Sequence, residues 1–254
     1  MKKLLKDLNA FNQIIFKDQE HTYWIGDRKI PRSATAYIND LIPKEAKFDT
    51  EDVSKRYAEK HGLNQQDVKD DWKRKGKIGA ERGTLLHYFV ENYAEGKNLN
   101  LETKFTEVRV PLSKSCELFK LWWSQHKDRY VPIKAEWVIY DKDLDVAGQI
   151  DRVFYNLLTE QYEIWDWKTN KEIKYGERWD PRFLGGFSNF PICEFNKFSI
   201  QTSLYKLILQ RNTSLNLGPS YIGWLNENLK EMEVIKLDDM TSAIELHEDY
   251  FKEA

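Results

Sequence analysis

Residues 147–170, AGQIDRVFYNLLTEQYEIWDWKTN, decide how this chain is read. Residues 147–155 are rich in strand formers, and 162–168 alternate, with Tyr162, Ile164 and Asp166 on one face and Trp165 and Trp167 on the other. The polar NLLTEQ between them supplies a turn, so the stretch is predicted to form a hairpin. Adjacent antiparallel strands can then bring Asp151 and Asp166 to one end of a sheet. Lys168 stands two residues after Asp166, and strand side chains repeat every two residues, so both project from the same face.

Two carboxylates and a lysine converging in this way suit the hydrolysis of a phosphodiester. Carboxylates hold Mg²⁺ or Mn²⁺, which prefer oxygen ligands and keep several waters. Such a cation polarises a phosphate and lowers the pKa of a bound water. The lysine can steer that water or neutralise the charge that develops. Taken alone, the same residues read as an Asp151–Lys168 salt bridge on a solvated strand face, the usual place for charge. The rest of the chain has to decide between the two.

At 254 residues the chain can bury a proper core, as one large domain or one domain with a lobe. Apolar residues make up 41% and charged ones 31%, which is globular rather than disordered composition. The 39 basic and 41 acidic residues nearly cancel, so any surface for a polyanion must be local. Cys116 and Cys193 lie far apart, with no C-x-x-C, which excludes a disulfide framework and a four-cysteine metal or iron–sulfur pattern. The expected setting is a reducing cytoplasm, of a bacterium or of a phage's host. The opening MKKLLKDLNAFNQ is broken by Lys6, Asp7 and Asn9 and makes a poor signal peptide. No stretch approaches the roughly 18 apolar residues of a membrane span.

Along the chain, 13–30 reads as a small β-meander, and Ser33 as the N-cap of a short helix to about Leu41 that Pro43 ends. Residues 50–62 are predicted helical, with Thr50 as cap and Gly62 as stop. A longer helix over 65–94 is expected to be interrupted near Gly76 and Gly79, and a polar stretch follows over 95–104. Residues 113–129 carry Leu118, Leu121 and Trp122 at helical spacing. Residues 131–140, 144–155 and 161–169 are the central strands. Residues 171–195 form a long irregular segment, and such segments inside a domain are usually functional or disordered. A helix over 198–210, strands over 221–226 and 232–237 and a helix over 241–251 complete the reading. This order argues for an α/β fold, a central mixed sheet flanked by helices. It is expected to form a single domain over 1–254, with 1–75 as an N-terminal β/helical lobe and 76–254 as the catalytic core.

Four further pieces bear on the site. GTLLHYFVE places His87 and Glu91 at i and i+4 on one helix face, and histidine is a common metal ligand. QTSLY puts Gln201 and Tyr205 one helical turn apart, where each can hold a phosphate or a backbone group. Each pair also reads as an ordinary part of an amphipathic helix. Trp72–Lys77, WKRKGK, packs four positive charges into six residues, and 171–182 adds four more among Tyr175 and Trp179. These runs read either as solvated surface or as a local basic track with aromatics that stack on bases.

In order, GTLLHYFVE, AGQIDRVF, WDWK and QTSLY resemble the RecB-like branch of the PD-(D/E)XK nuclease superfamily, and the Q-x-x-x-Y form marks that branch. Less specifically the resemblance reaches the early WIGDRKIPRSATAYI. The groups it is most similar to are phage-type exonucleases and the mitochondrial genome-maintenance exonuclease. The resemblance implies a restriction-endonuclease-like core. It makes Asp151 and Asp166 metal ligands, joined by the Trp167 carbonyl and by His87, with Lys168 as the catalytic lysine beside the two aspartates. Gln201 and Tyr205 would position DNA and brace the site. Glu91 and Glu136 fall where the family often has acidic residues, in supporting roles. Relatives with four cysteines carry an iron–sulfur cluster, and this chain belongs with the cluster-free members.

The expected activity is that of an Mg²⁺- or Mn²⁺-dependent deoxyribonuclease, an exonuclease on single-stranded DNA or frayed ends. Trp72, Lys73, Lys75 and Lys77 would contact the nucleic acid. Two alternatives stand beside this: a structure-specific endonuclease on the same fold, or a silent nucleic-acid-binding module. A pure binder has no need of a lysine beside two carboxylates.

Overall fold

In the computed structural model, which describes residues 2–17, 20–97 and 99–252, helix α1 (Lys2–Leu8) leads into a meander of three strands. These are β1 (Ile14–Lys17), β2 (Thr22–Ile25) and β3 (Arg28–Lys29), joined antiparallel as the alternation predicted. A two-residue strand, β4 (Arg32–Ser33), then opens helix α2 (Ala34–Asp40). The Ser33 hydroxyl accepts the Ala36 N–H at 3.1 Å and caps that helix, as expected. Helix α3 (Thr50–His61) is capped by Asp49, whose side chain accepts the Glu51 and Asp52 N–H groups, so Thr50 is the first helical residue rather than the cap. Gly62 ends it at φ 64°, the left-handed geometry that glycine adopts without strain.

Helix α4 (Gln65–Ala94) runs unbroken for 30 residues, against the expected interruption at Gly76 and Gly79. Each glycine costs about 1 kcal/mol relative to alanine in a helix interior. The Asn64 cap, packing against α3 and the burial of Leu86, Phe89 and Val90 on the sheet outweigh that cost. The helix also passes straight through residues 75 and 76, where lobe and core were expected to meet. Helix α5 (Thr106–His126) begins earlier than its expected start at 113 and carries Pro111 inside. Proline forgoes one intrahelical hydrogen bond, but Val108 and Leu112 on either side are buried and hold the first turns in place.

The central sheet follows: β5 (Tyr130–Asp141), β6 (Val146–Asn156), β7 (Gln161–Lys168), β8 (Leu217–Trp224) and β9 (Glu233–Lys236). Strands β5, β6 and β7 are antiparallel, β7 and β8 parallel, and β8 and β9 antiparallel, so the sheet is mixed. Helix α6 (Glu194–Asn212) connects β7 to β8 after the irregular segment, and α7 (Thr241–Lys252) follows β9. Helices cover both faces. Helices α4 and α5 bury Leu86, Phe119 and Trp122 against Phe154, Trp165 and Trp167. On the other face α2 and α6 bury Ile38, Ile200 and Leu204 against Ile150, Val153 and Ile164. Trp165 and Trp167 thus face one layer and Ile164 the other, as the alternation required. No described helix is long and apolar enough to cross a membrane.

The ladder forks at β6. Strand β5 follows one edge of β6 throughout. The other edge pairs with β4 at Val146 and Ala147, and with β7 only from Arg152 onward. Between those partners, residues 148–151 have no strand on that edge among the described residues, and Asp151 stands at the fork.

Candidate metal centre

Three carboxylates stand level on three neighbouring strands. The β5–β6 register pairs Ala135 with Arg152 and Trp137 with Ile150, which sets Glu136 level with Asp151. The β6–β7 register pairs Arg152 with Trp165, and one step along both strands reaches Asp151 and Asp166. At the fork the Asp151 carboxylate replaces the missing ladder: its Oδ2 accepts the Trp167 N–H at 3.0 Å. Glu136 holds its place at φ 45°, a left-handed conformation rare for a residue with a side chain. Backbone strain of this kind collects at functional sites.

Helix α4 delivers His87 to the same point. Its Nε2 lies 3.1 Å from the Trp167 carbonyl, which can only accept, so Nε2 carries the proton. That leaves Nδ1 turned toward Asp151 Oδ2 at 3.5 Å and Glu136 Oε1 at 4.0 Å. An imidazole fixed through one nitrogen and open at the other is the usual posture of a metal-binding histidine. The Trp167 carbonyl, expected as a ligand, spends one of its lone pairs on His87.

Lys168 Nζ sits 2.6 Å from Asp166 Oδ2, and both are largely buried: their side chains are 20% and 6% exposed. The ion pair is therefore with Asp166 and inside the protein, not the Asp151–Lys168 surface bridge of the simpler reading. The lysine also lies over the Phe198 ring at 5.0 Å. Burial, with Asp151 adding to it, pushes the Glu136 carboxyl up to about 7, and the same two causes push Asp166 up to about 6. Burial works against the Lys168 ammonium, yet Asp166 and Asp151 outweigh it and its pKa is raised.

These residues fit a divalent cation. One donor atom from each of His87, Glu136 and Asp151 lies within 4.8 Å of the others. Asp166 Oδ2 is buried and, beyond its ion pair, receives no well-aligned hydrogen bond. Crowded carboxylates with raised pKa values are what a shared cation relieves. Glu136, expected only in support, is inside this cluster. Glu91 is not: its backbone carbonyl accepts from Arg152 at 2.7 Å, and its charge acts on Glu136 from the next turn.

Tyr205 packs behind the fork. A Cβ at position 148 would fall inside contact distance of its ring, so glycine is what admits the tyrosine there. Gln201 donates to the Tyr205 hydroxyl at 2.8 Å. Tyr205 is buried, with its hydroxyl turned to Gln201 inside the protein. Gln201 is partly exposed. The basic run lies about three to four turns before His87 on α4. Lys73 and Lys77 are exposed, Lys75 pairs with Asp71 at 2.6 Å, Arg74 pairs with Glu107, and Trp72 packs on Tyr57.

Two fasteners of α4 escaped the sequence reading. Arg152, fully buried, holds the Glu91 carbonyl and Glu95, and Arg82 holds Ser115 and Glu227. They bracket His87 along the helix. A lone arginine in a strand or helix carries no sequence signal for such a partner. Gly148 had one, since a glycine inside a strand marks close approach of another group.

A search of curated proteins returns no match. A family model described as the PD-(D/E)XK nuclease superfamily matches residues 56–253, which span α4, the three level carboxylates and Lys168. Asp166-Trp167-Lys168 has the D-x-K spelling of the family's name. The chain belongs to the PD-(D/E)XK nuclease superfamily, a family of metal-dependent nucleases that act on DNA.

Proposed function

We propose that this nuclease is a RecB-like, phage-type exonuclease that degrades single-stranded DNA or frayed ends with Mn²⁺ or Mg²⁺. Asp151, Glu136 and His87 hold the ion, with Asp166 beside them. The bound ion supplies a Lewis acid for the scissile phosphate and its attacking water. Lys168, kept charged by Asp166, orients the water and neutralises charge gathering on the phosphate. His87 presents Nδ1 because Trp167 fixes its ring. Gln201 and Tyr205 keep β6 open at Gly148, so that Asp151 stays at the fork. An imidazole among the ligands favours Mn²⁺ over Mg²⁺ as the better activator.

The observation that carries the end-directed reading is the pair of elements flanking the carboxylates. On the His87 side, α4 presents exposed Lys73 and Lys77. On the Lys168 side, the segment 169–193 is anchored by Ile173 in the cluster that includes Phe198, the ring under Lys168. From that anchor it presents Tyr175 and Trp179, the latter 80% exposed. Cations track a backbone, and aromatics hold unpaired bases without reading sequence. A stiff duplex offers no base faces to such rings. The test is linear against circular single-stranded DNA of one sequence, with Mn²⁺, Mg²⁺ or EDTA. Cleavage of the linear form alone supports the reading, while equal cleavage of the circle makes the enzyme an endonuclease.

A further inference from the structure

We infer that Phe48, Tyr57 and Trp72 form a base-stacking platform for single-stranded nucleic acid, upstream of the metal centre along α4. This inference rests on the single-strand reading above and extends it to residues outside the site. Trp72 touches both of the other rings. Phe48 and Trp72 have centroids 6.2 Å apart, and Tyr57 and Trp72 lie 5.7 Å apart at 66°. They belong to none of the three hydrophobic cores. Phe48 is 68% exposed and Tyr57 42% exposed. Rings that only fastened α3 to α4 would turn inward, as Val68 does. Apolar patches left open with a polar rim mark a surface that meets a partner.

The rim says which partner. Lys73 follows Trp72 directly, and Lys60 lies on the Tyr57 face of α3 one turn on; both are exposed. Flat apolar rings beside cations match a strand whose bases are apolar-faced and whose backbone is anionic. Trp72 precedes His87 by fifteen residues of unbroken helix, about 22 Å at 1.5 Å per residue, and lies within about 60° of it around the axis. Between them Gly76 and Gly83 fall within about 40° of the His87 line. Nothing comes within 4 Å of a Cβ built on either, so the helix is uncovered at both points between platform and metal centre. A strand whose bases rest on the platform would run its backbone along this line of α4 toward the carboxylates.

The test is binding of fluorescently labelled oligothymidylate, read by anisotropy in EDTA over a range of salt. Phe48→Ala with Tyr57→Ala is expected to weaken binding by about tenfold or more. The log–log salt slope should stay unchanged, because no charge is removed. Tyr57→Phe keeps the ring and should bind as the wild type does. An unchanged thermal midpoint certifies the fold, and Phe48→Ala alone serves if the double variant loses it. Binding within about twofold of wild type in a folded variant overturns the platform, and so does a change in salt slope equal to the loss of a phosphate contact. Metal and turnover are absent from this assay. A chain that stacks the strand but cleaves circles in the companion experiment therefore loses its end-directed reading and keeps its platform.

Discussion

Tyr205 of α6 and Gly148 of β6 meet so closely that the strand has no room there for a Cβ. The contact sits three residues before Asp151, on the stretch of β6 that has lost its strand neighbour on one edge. A ring on one helix thereby fills the space that a side chain would take on the strand carrying Asp151.

Gly148→Ala should accordingly damage the site more than the fold. Overpacking of this kind costs about 1–3 kcal/mol, and the displacement falls on Asp151. The collision is with ring atoms, so Tyr205→Phe should not relieve it, whereas Tyr205→Leu should relieve part of it. Cleavage rates and thermal midpoints of the two singles and the double give the coupling. Strict additivity of Gly148→Ala with Tyr205→Leu would show that the ring does not position the strand.

Lys168→Met removes the buried cation and keeps the stem. Loss of a group placed at developing charge costs on the order of 10²–10³ in rate. Metal binding should survive, since His87, Glu136 and Asp151 remain. Near wild-type turnover with intact metal binding would reduce Lys168 to a partner for Asp166.

His87→Ala and Glu136→Gln each take one donor from the three-residue cluster. Both are expected to weaken Mn²⁺ binding by calorimetry, and His87→Ala should also narrow the preference for Mn²⁺ over Mg²⁺. Glu91→Gln, one turn beyond the cluster, should bind metal nearly as the wild type does. Equal losses in all three would mean that general negative charge, not ligation, holds the ion.

Much of this site was legible because strand periodicity is strict. Asp166 and Lys168 had to share a face, and a short polar turn had to bring Asp151 alongside. What the pattern could not carry was pairing across distance. Glu136 joins the cluster through the β5–β6 register, which no local signal announces, and it does so in a conformation that propensity disfavours. The glycines of α4 misled for the opposite reason. Local propensity said break, and burial of Leu86, Phe89 and Val90 said continue. The expected start at 113 failed in the same way, since burial of Val108 and Leu112 carries α5 back to Thr106.

Arg152→Met tests how far His87 depends on the rear of its helix. Arg152 donates to the Glu91 carbonyl at 2.7 Å, near the end of α4 where carbonyls lack intrahelical partners, and it also meets Glu95. A hydrogen bond from a charged group contributes about 1.5–3 kcal/mol, so the thermal midpoint should fall. Metal affinity should fall with it, although Arg152 touches no ligand atom. An unchanged metal titration in a destabilised variant would uncouple the helix end from His87.

Finally, the metal-free protein should lose stability as pH rises toward neutrality, and Glu136 should carry part of that slope. Its carboxyl is pushed from an ordinary value near 4.5 up to about 7, by burial first and by Asp151 second. Below about 4.5 the group is protonated in both folded and unfolded chains and contributes no difference. Between the two values the unfolded chain releases its proton while the folded chain keeps it, so rising pH favours unfolding. The loss is complete once pH passes the folded value. Asp166, raised to about 6, adds to the slope in the same direction. Denaturant midpoints in EDTA should therefore decline from pH 5 to pH 7.5 more steeply for the wild type than for Glu136→Gln, which has no proton to lose. With Mn²⁺ present the trend should reverse, because protons and the cation compete for the same oxygens. Parallel curves for the two proteins in EDTA would show that Glu136 titrates as an ordinary surface carboxylate.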